Sequence, residues 1–124
     1  MGKRKLTSHK LSGLNDRLEI DVIDEPGQGN ACHEYVIRVP LENGTVRSDF
    51  ILFQNGPIGE SGVNGISNEA LLAIVEDRLE GFQTGPFRCP ENAVALTKIQ
   101  EAIMWLQKRT RDRLARGVEG TNKV

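Results

Sequence analysis

From Pro90 to Arg116 the chain runs 27 positions with no glycine and no second proline, and this run constrains the fold more than any other segment. Pro90 suits a first helical turn, where its missing N–H breaks no hydrogen bond, and Gly117 supplies the first interruption. The run predicts a single helix of about 40 Å at 1.5 Å per residue. Globular helices average about 11–12 residues, so this one outruns what a small sheet and a shorter helix can cover.

One stripe of the helix holds Asn92, Leu96, Ile99, Ile103, Leu106, Thr110 and Arg113, in alternating steps of four and three. That is a heptad seam, apolar in the middle and polar at both ends. It is nearly palindromic about Ile103: Ile99 mirrors Leu106, Leu96 mirrors Thr110, and Asn92 mirrors Arg113. Antiparallel pairing with a second copy is the expected use of such a stripe, with packing inside one subunit as the alternative. A chain of 124 residues with five per cent aromatics has few large core side chains, which favours a partner subunit.

The segment before the helix reads as a small antiparallel meander. Leu18, Ile20 and Val22 alternate with acids, Tyr35, Ile37 and Val39 alternate up to Pro40, and a third strand runs from about Val46 to Gln54. Asn43-Gly44 predicts a two-residue type I′ hairpin between the last two. So small a sheet must cover its apolar face, and the helices are the cover available. Residues 1–13 read as a mobile basic leader without an apolar stretch to make a secretory signal, and 121–124 as a tail. Residues 55–66 form a glycine-rich loop, either a plain connector or a lid over a ligand. Ser67 or Asn68 caps a shorter helix whose Leu72, Val75, Leu79 and Phe82 share one face. The fold class expected is α+β. It comprises one domain over 14–120, with the meander at 14–54 and a helical hairpin at 67–116.

Charge is segregated. Residues 1–10 carry a net +4, residues 107–124 another +4, and the acidic body between them −9. Basic ends on an acidic body favour local anion binding over a general nucleic-acid surface. Arg109 and Arg113 lie i, i+4 on one helix face, a spacing that suits a phosphate clamp. Lys108 and Arg116 are better explained as complements to the helix dipole. At the opposite end of the hairpin Phe82 and Asn92 flank the link between helices, an aromatic face beside an amide that can hold a base. Phe82 alone would more ordinarily be a core residue. Asn92 and Arg109 are separated by about 25 Å along one helix, so one small ligand reaches both only across an antiparallel dimer. Two equivalent pockets per dimer follow.

Catalysis finds little support. His9 and His33 are far apart in sequence, Cys32 and Cys89 have no metal-like spacing, and no recognised hydrolase or metalloenzyme motif occurs. Two cysteines in no disulfide pattern suit a reducing compartment. No apolar run approaches the ~18 residues of a membrane span. Binding without turnover, with no metal, no cofactor, no membrane and no nucleic-acid partner, is the expectation.

The run FQNGPIGESGVNGISNEALLAIVEDRLEGFQTGPFRCPENAVALTKIQEAIMWLQKRTRDRLARGVEG resembles the phage anti-Thoeris sponge family, the Thoeris anti-defence protein 1 group. Its segment ENAVALTKIQEAIMWL is also similar to the helical core of phage anti-CBASS sponges. The resemblance implies a protein that traps glyco-cyclic ADP-ribose made by bacterial TIR enzymes, intact, in the cytoplasm of the infected host. It places the family's base-stacking aromatic and amide on Phe82 and Asn92, and its phosphate-binding arginines on Arg109 and Arg113. Some members assemble as trimers of dimers and bind CBASS cyclic oligonucleotides at separate sites. The competing readings are an enzyme that degrades the messenger and a nucleic-acid module using the basic helix end.

Overall fold

The computed structural model describes residues 4–123; Met1, Gly2 and Lys3 of the expected leader and Val124 of the tail lie outside the described residues. The order of elements is β1 (Arg4–Leu6), α1 (Leu14–Arg17), β2 (Glu19–Val22), β3 (Glu34–Pro40), β4 (Val46–Leu52), α2 (Ile58–Ser61), α3 (Asn68–Gln83) and α4 (Pro90–Arg116). A short 3-10 turn at Gln28–Asn30 lies between β2 and β3. The class is α+β, an antiparallel sheet followed by helices that end in one of 27 residues. The contacts divide the chain into two compact units, Met1–Gly56 with Val63–Gly65, and Pro57–Gly62 with Ile66–Val124. The expectation from the sequence is a single domain over 14–120.

The sheet has four strands in the order β1-β2-β3-β4, one more than the meander expected. The extra strand comes from the leader. Arg4, Lys5 and Leu6 pair antiparallel with Val22, Asp21 and Ile20. Charge explains why a basic segment adds to the sheet instead of staying loose. Asp21 is only 4% exposed although it falls on the polar phase of its strand, and it needs cations. Lys5 supplies one at 2.8 Å and Arg38 of β3 supplies the other. Lys10 reaches Glu19 at 2.7 Å in the same way. These partners hold the carboxyls of Asp21 and Glu19 below their usual range: for Asp21 the Lys5 hydrogen bond is the largest cause, for Glu19 the Lys10 bond. Asp21 in turn raises Lys5. The apolar core of the sheet is small, centred on Val22, Cys32 and Val36.

The β3–β4 turn differs from the expected type. Gly44 has φ +86°, but Asn43 does not adopt a positive φ, which a type I′ turn would require. The N–H of Gly44 donates to the Leu41 carbonyl at 3.1 Å and that of Leu41 to the Thr45 carbonyl at 2.8 Å. That pattern is a three-residue loop, a tight turn followed by a left-handed glycine. Asn43 holds it through its side-chain oxygen, which accepts from both the N–H and the hydroxyl of Thr45.

The glycine-rich span is folded locally. Asn64 clasps the backbone of Asn55 through both ends of its amide, each bond 2.7 Å, and its own N–H donates to the Gln54 side chain. Gly65 must be glycine here: a Cβ would fall 2.4 Å from the Phe53 carbonyl carbon.

In the second unit Ser67 caps α3, its Oγ accepting from the Ala70 N–H at 3.0 Å. At the start of α4, Cys89 is the cap residue and its Sγ accepts from the Asn92 N–H. Gly117, with φ +73°, ends α4, and the Val118 N–H returns to the Arg113 carbonyl at 3.0 Å. A left-handed glycine that closes the last turn in this way is a common helix stop. α3 and α4 pack on each other as a hairpin.

Candidate functional site

The stripe that the heptad spacing singled out is the shielded side of α4. Asn92, Leu96, Ile99, Ile103, Leu106 and Thr110 are half-buried and Arg113 is buried, among positions that are otherwise mostly exposed. Leu71, Leu72, Leu79 and Phe82 are the matching half-buried residues of α3, while Val75, expected on that face, is exposed. Within one chain the stripe is thus partly used by the hairpin, the alternative weighed from the sequence. The hairpin does not finish the task, since no residue of α3 is fully buried. Ile74, Phe87, Met104 and Trp105 remain more than half exposed.

At the link end, Phe82 stands in a small cluster that the sequence only partly signalled. The Arg78 guanidinium lies over its ring, 5.0 Å from the centroid, and the Phe87 ring is tilted against it at 6.4 Å. Arg78 precedes Phe82 by one helical turn, which is the spacing that lets a cation cover an aromatic face. Asn92 is half-buried just beyond the link, its side-chain amide uncommitted among the described residues. Gln83 braces the link by accepting from the Cys89 N–H at 3.1 Å.

The other end of α4 bears a cleft of about 520 Å³ lined by Trp105, Lys108, Arg109, Asp112, Arg113 and Arg116. Its cations differ in what they have left to offer. Lys108 is paired with Asp112 at 2.7 Å. Arg109 is exposed and has no hydrogen bond or ion pair from its side chain among the described residues. Arg113 is the opposite case, at 8% exposure. Its Nε donates to Glu119 at 2.9 Å, and its Nη groups donate to the carbonyls of Val118, Thr121 and Lys123. The pair expected to act as a phosphate clamp is therefore one available guanidinium beside one that is engaged. Spacing alone could not reveal this, because the partners come from the chain after the helix. That segment, expected as a loose tail from 121, is knit onto α4 and onto α2, where the Gly59 N–H meets the Gly120 carbonyl at 3.3 Å.

The structure brings Arg109 and Arg113 into one cleft and puts Phe82 beside the link that leads to Asn92, at the far end of the same helix. Trp105, Arg78 and Phe87 are the residues at these two places that the sequence reading did not single out. Each could have been flagged as a large aromatic or a cation one helical turn from a predicted site residue. Among the described residues no group of three or more His, Cys, Asp or Glu is arranged to hold a metal ion. At His33 it is the backbone N–H that donates to the Asp24 carboxylate, at 2.9 Å, while the ring Nδ1 lies 3.8 Å from the same carboxylate.

The two-helix hairpin of this α+β chain thus carries an aromatic cluster at one end and a cation-lined cleft at the other. The family described as Acb2/Tad1, hairpin domain, matches residues 46–111, and the chain belongs to that family. It is similar to Thoeris anti-defense 1 of Bacillus phage SBSphiJ7, with 56% identity over 71 residues. That alignment covers 57% of this chain and 50% of the relative, so the chain matches about half the length of that protein.

Proposed function

We propose that this is a phage anti-Thoeris protein that binds glyco-cyclic ADP-ribose messengers made by bacterial TIR enzymes and withholds them, intact, from the defence effector. It would act in the cytoplasm of the infected host. The observation that carries the reading is the uncommitted Arg109 guanidinium in a cleft with Trp105 at the C-terminal end of α4, while Asn92 lies at the other end of that helix and Phe82 at the adjoining end of α3. A cyclic ADP-ribose presents a stackable base and a diphosphate, and these two sets of groups suit those two parts. The name of the phage relative supports the anti-Thoeris part.

The two ends lie too far apart on one helix to share a small ligand, so the reading includes a homodimer. An antiparallel pair of α4 helices sets Phe82 and Asn92 of one copy near Arg109 and Arg113 of its partner, twice. The incomplete burial of the stripe and the exposed Met104 and Trp105 leave apolar surface for such a partner. In this arrangement Arg109 makes the phosphate contact. Arg113, held by the C-terminal turn, lines the cleft beside it and shapes its floor. Among the described residues the carboxylate that lines the cleft, Asp112, is paired with Lys108, which supports storage over cleavage.

The test is a capture experiment. The protein is incubated with the messenger, filtered, heat-denatured, and the released nucleotide is identified by mass. Recovery of unchanged messenger is expected. Release of a linear or hydrolysed product would make the protein an enzyme, and failure to deplete the filtrate would remove the ligand assignment.

A further inference from the structure

β4 is an outer strand of the sheet, seven residues long, with β3 on one side only. The direction of its backbone groups follows from two hydrogen bonds at its ends. The Phe53 N–H donates to the His33 carbonyl, and the Leu41 N–H to the Thr45 carbonyl. Odd-numbered residues of this strand therefore turn toward β3, and Val46, Ser48, Phe50 and Leu52 turn their N–H and C=O groups to the free edge. Their side chains share one face, where Phe50 is 66% and Val46 57% exposed. No lysine, proline or bulge guards the strand, and its two charged residues, Arg47 and Asp49, are paired with each other. The edge does stop at its far end, where Gly65 lies tight against Phe53 and Gln54 and Asn64 clasps Asn55.

We propose that this edge is an interface with a second copy of the chain, the two β4 strands pairing antiparallel about a two-fold axis at Ser48. Parity limits the choice of axis. Edge-facing residues must meet edge-facing residues in the hydrogen-bonded pairs, so the axis falls on a residue and not between two. An axis at Asp49 sets two carboxylates opposite each other, and one at Arg47 sets two guanidinium groups together. An axis at Phe50, Ile51 or Leu52 drives the partner into the closed end, and one at Val46 drives it into the turn at Gly44. The axis at Ser48 alone sets Arg47 opposite Asp49 twice and Val46 opposite Phe50 twice. Opposite charges and aromatic–β-branched contacts are both favourable cross-strand pairs. Arg47 and Asp49 already bond to each other along one strand at 2.9 Å, so the pairing exchanges an exposed ion pair for its intersubunit equivalent. This interface is separate from the pairing of α4 and does not depend on the identity of the ligand.

Cysteine cross-linking reads the register directly. Residues on the axis have Cα atoms about 5.5 Å apart in a hydrogen-bonded pair, inside the disulfide range of about 4.4–6.8 Å. Ser48→Cys is expected to form a cross-linked dimer on mild oxidation, judged on a non-reducing gel beside the parent chain. Asp49→Cys is expected not to cross-link, because its two sulfurs would be a full dipeptide out of register. Ser48→Pro removes an edge-facing N–H and leaves the bonds to β3 intact. It should lower the light-scattering mass to that of the dimer held by α4, with an unchanged circular dichroism spectrum and unchanged messenger capture. If the proline variant unfolds, Asp49→Arg tests the same contact by setting two arginines against each other, and adding Arg47→Asp should restore the mass. Cross-linking through Asp49→Cys in place of Ser48→Cys would overturn the register. No cross-link, together with an unchanged mass in the folded variants, would overturn the interface.

Discussion

Arg109 and Arg113 stand one turn apart on the same helix and yet have different work to do. Arg109 reaches solvent without a partner of its own among the described residues, whereas Arg113 ties α4 to the turn that follows it. Removing each should separate two effects. Arg109→Ala is expected to abolish messenger capture and leave the denaturation midpoint within about 0.5 kcal/mol of the parent, as for most exposed substitutions. Arg113→Ala should cost about 3 kcal/mol, because it leaves the buried Val118 carbonyl and the Glu119 carboxylate without their donor. Urea titration of both variants beside the capture assay checks this. Equal loss of stability in the two would contradict the division of roles. Both arginines were legible as chemistry from their spacing; their difference was not, since it depends on contacts made by residues 118–123.

The elements were the most legible part of the chain. The limits of α4 follow from a proline at one end and a glycine at the other, both local backbone effects. The cap on α3 is equally local, and Ser67→Ala should destabilise the hairpin by about 1 kcal/mol in a thermal melt followed at 222 nm. Gly117→Ala should cost about 1–2 kcal/mol by the same measurement, since a side chain at positive φ crowds its own carbonyl. Turn chemistry was less secure. Asn-Gly announced a hairpin correctly but not its loop length, which was decided by the hydrogen bond Leu41 makes to Thr45. The strand at Arg4–Leu6 was missed because three residues carry too short a pattern, and because its stabilising partner, Asp21, is fifteen or more positions away.

At the scale of the molecule the basic leader and acidic body are not only an electrostatic asymmetry; part of the charge is folded into the sheet. The depressed carboxyls of Asp21, Glu19 and Asp24 have a consequence for acid stability. At Asp24 burial pushes the group up, and the N–H groups of His33 and Glu34 outweigh it. A carboxyl lowered by folding stabilises the native state above its unfolded value, and that contribution is lost as pH falls through the folded value. The sheet should therefore weaken below the ordinary values of 4.5 for Glu19 and 3.8 for the two aspartates. Lys5, raised by Asp21, acts in the other direction, so its contribution persists through neutral pH and fades only above 10.5. Amide exchange of β2 and β3 should show the acid loss, and Asp21→Asn should flatten that limb while lowering protection at pH 7. An unchanged acid limb in that variant would remove Asp21 from the account.

By itself the sequence determined the α+β class, the ends of the long helix, its half-polar stripe and the residue types at both ends of it. These rest on periodicity and on backbone preferences that act within a turn or two of chain. Only the tertiary structure decided which face of α4 the hairpin shields, that the leader supplies a strand, and that Arg113 is engaged while Arg109 is not. Those outcomes depend on charges and hydrogen-bonding groups that meet across long stretches of chain. A buried aspartate draws cations from wherever the fold can bring them, and a guanidinium takes carbonyls from whichever segment passes over it.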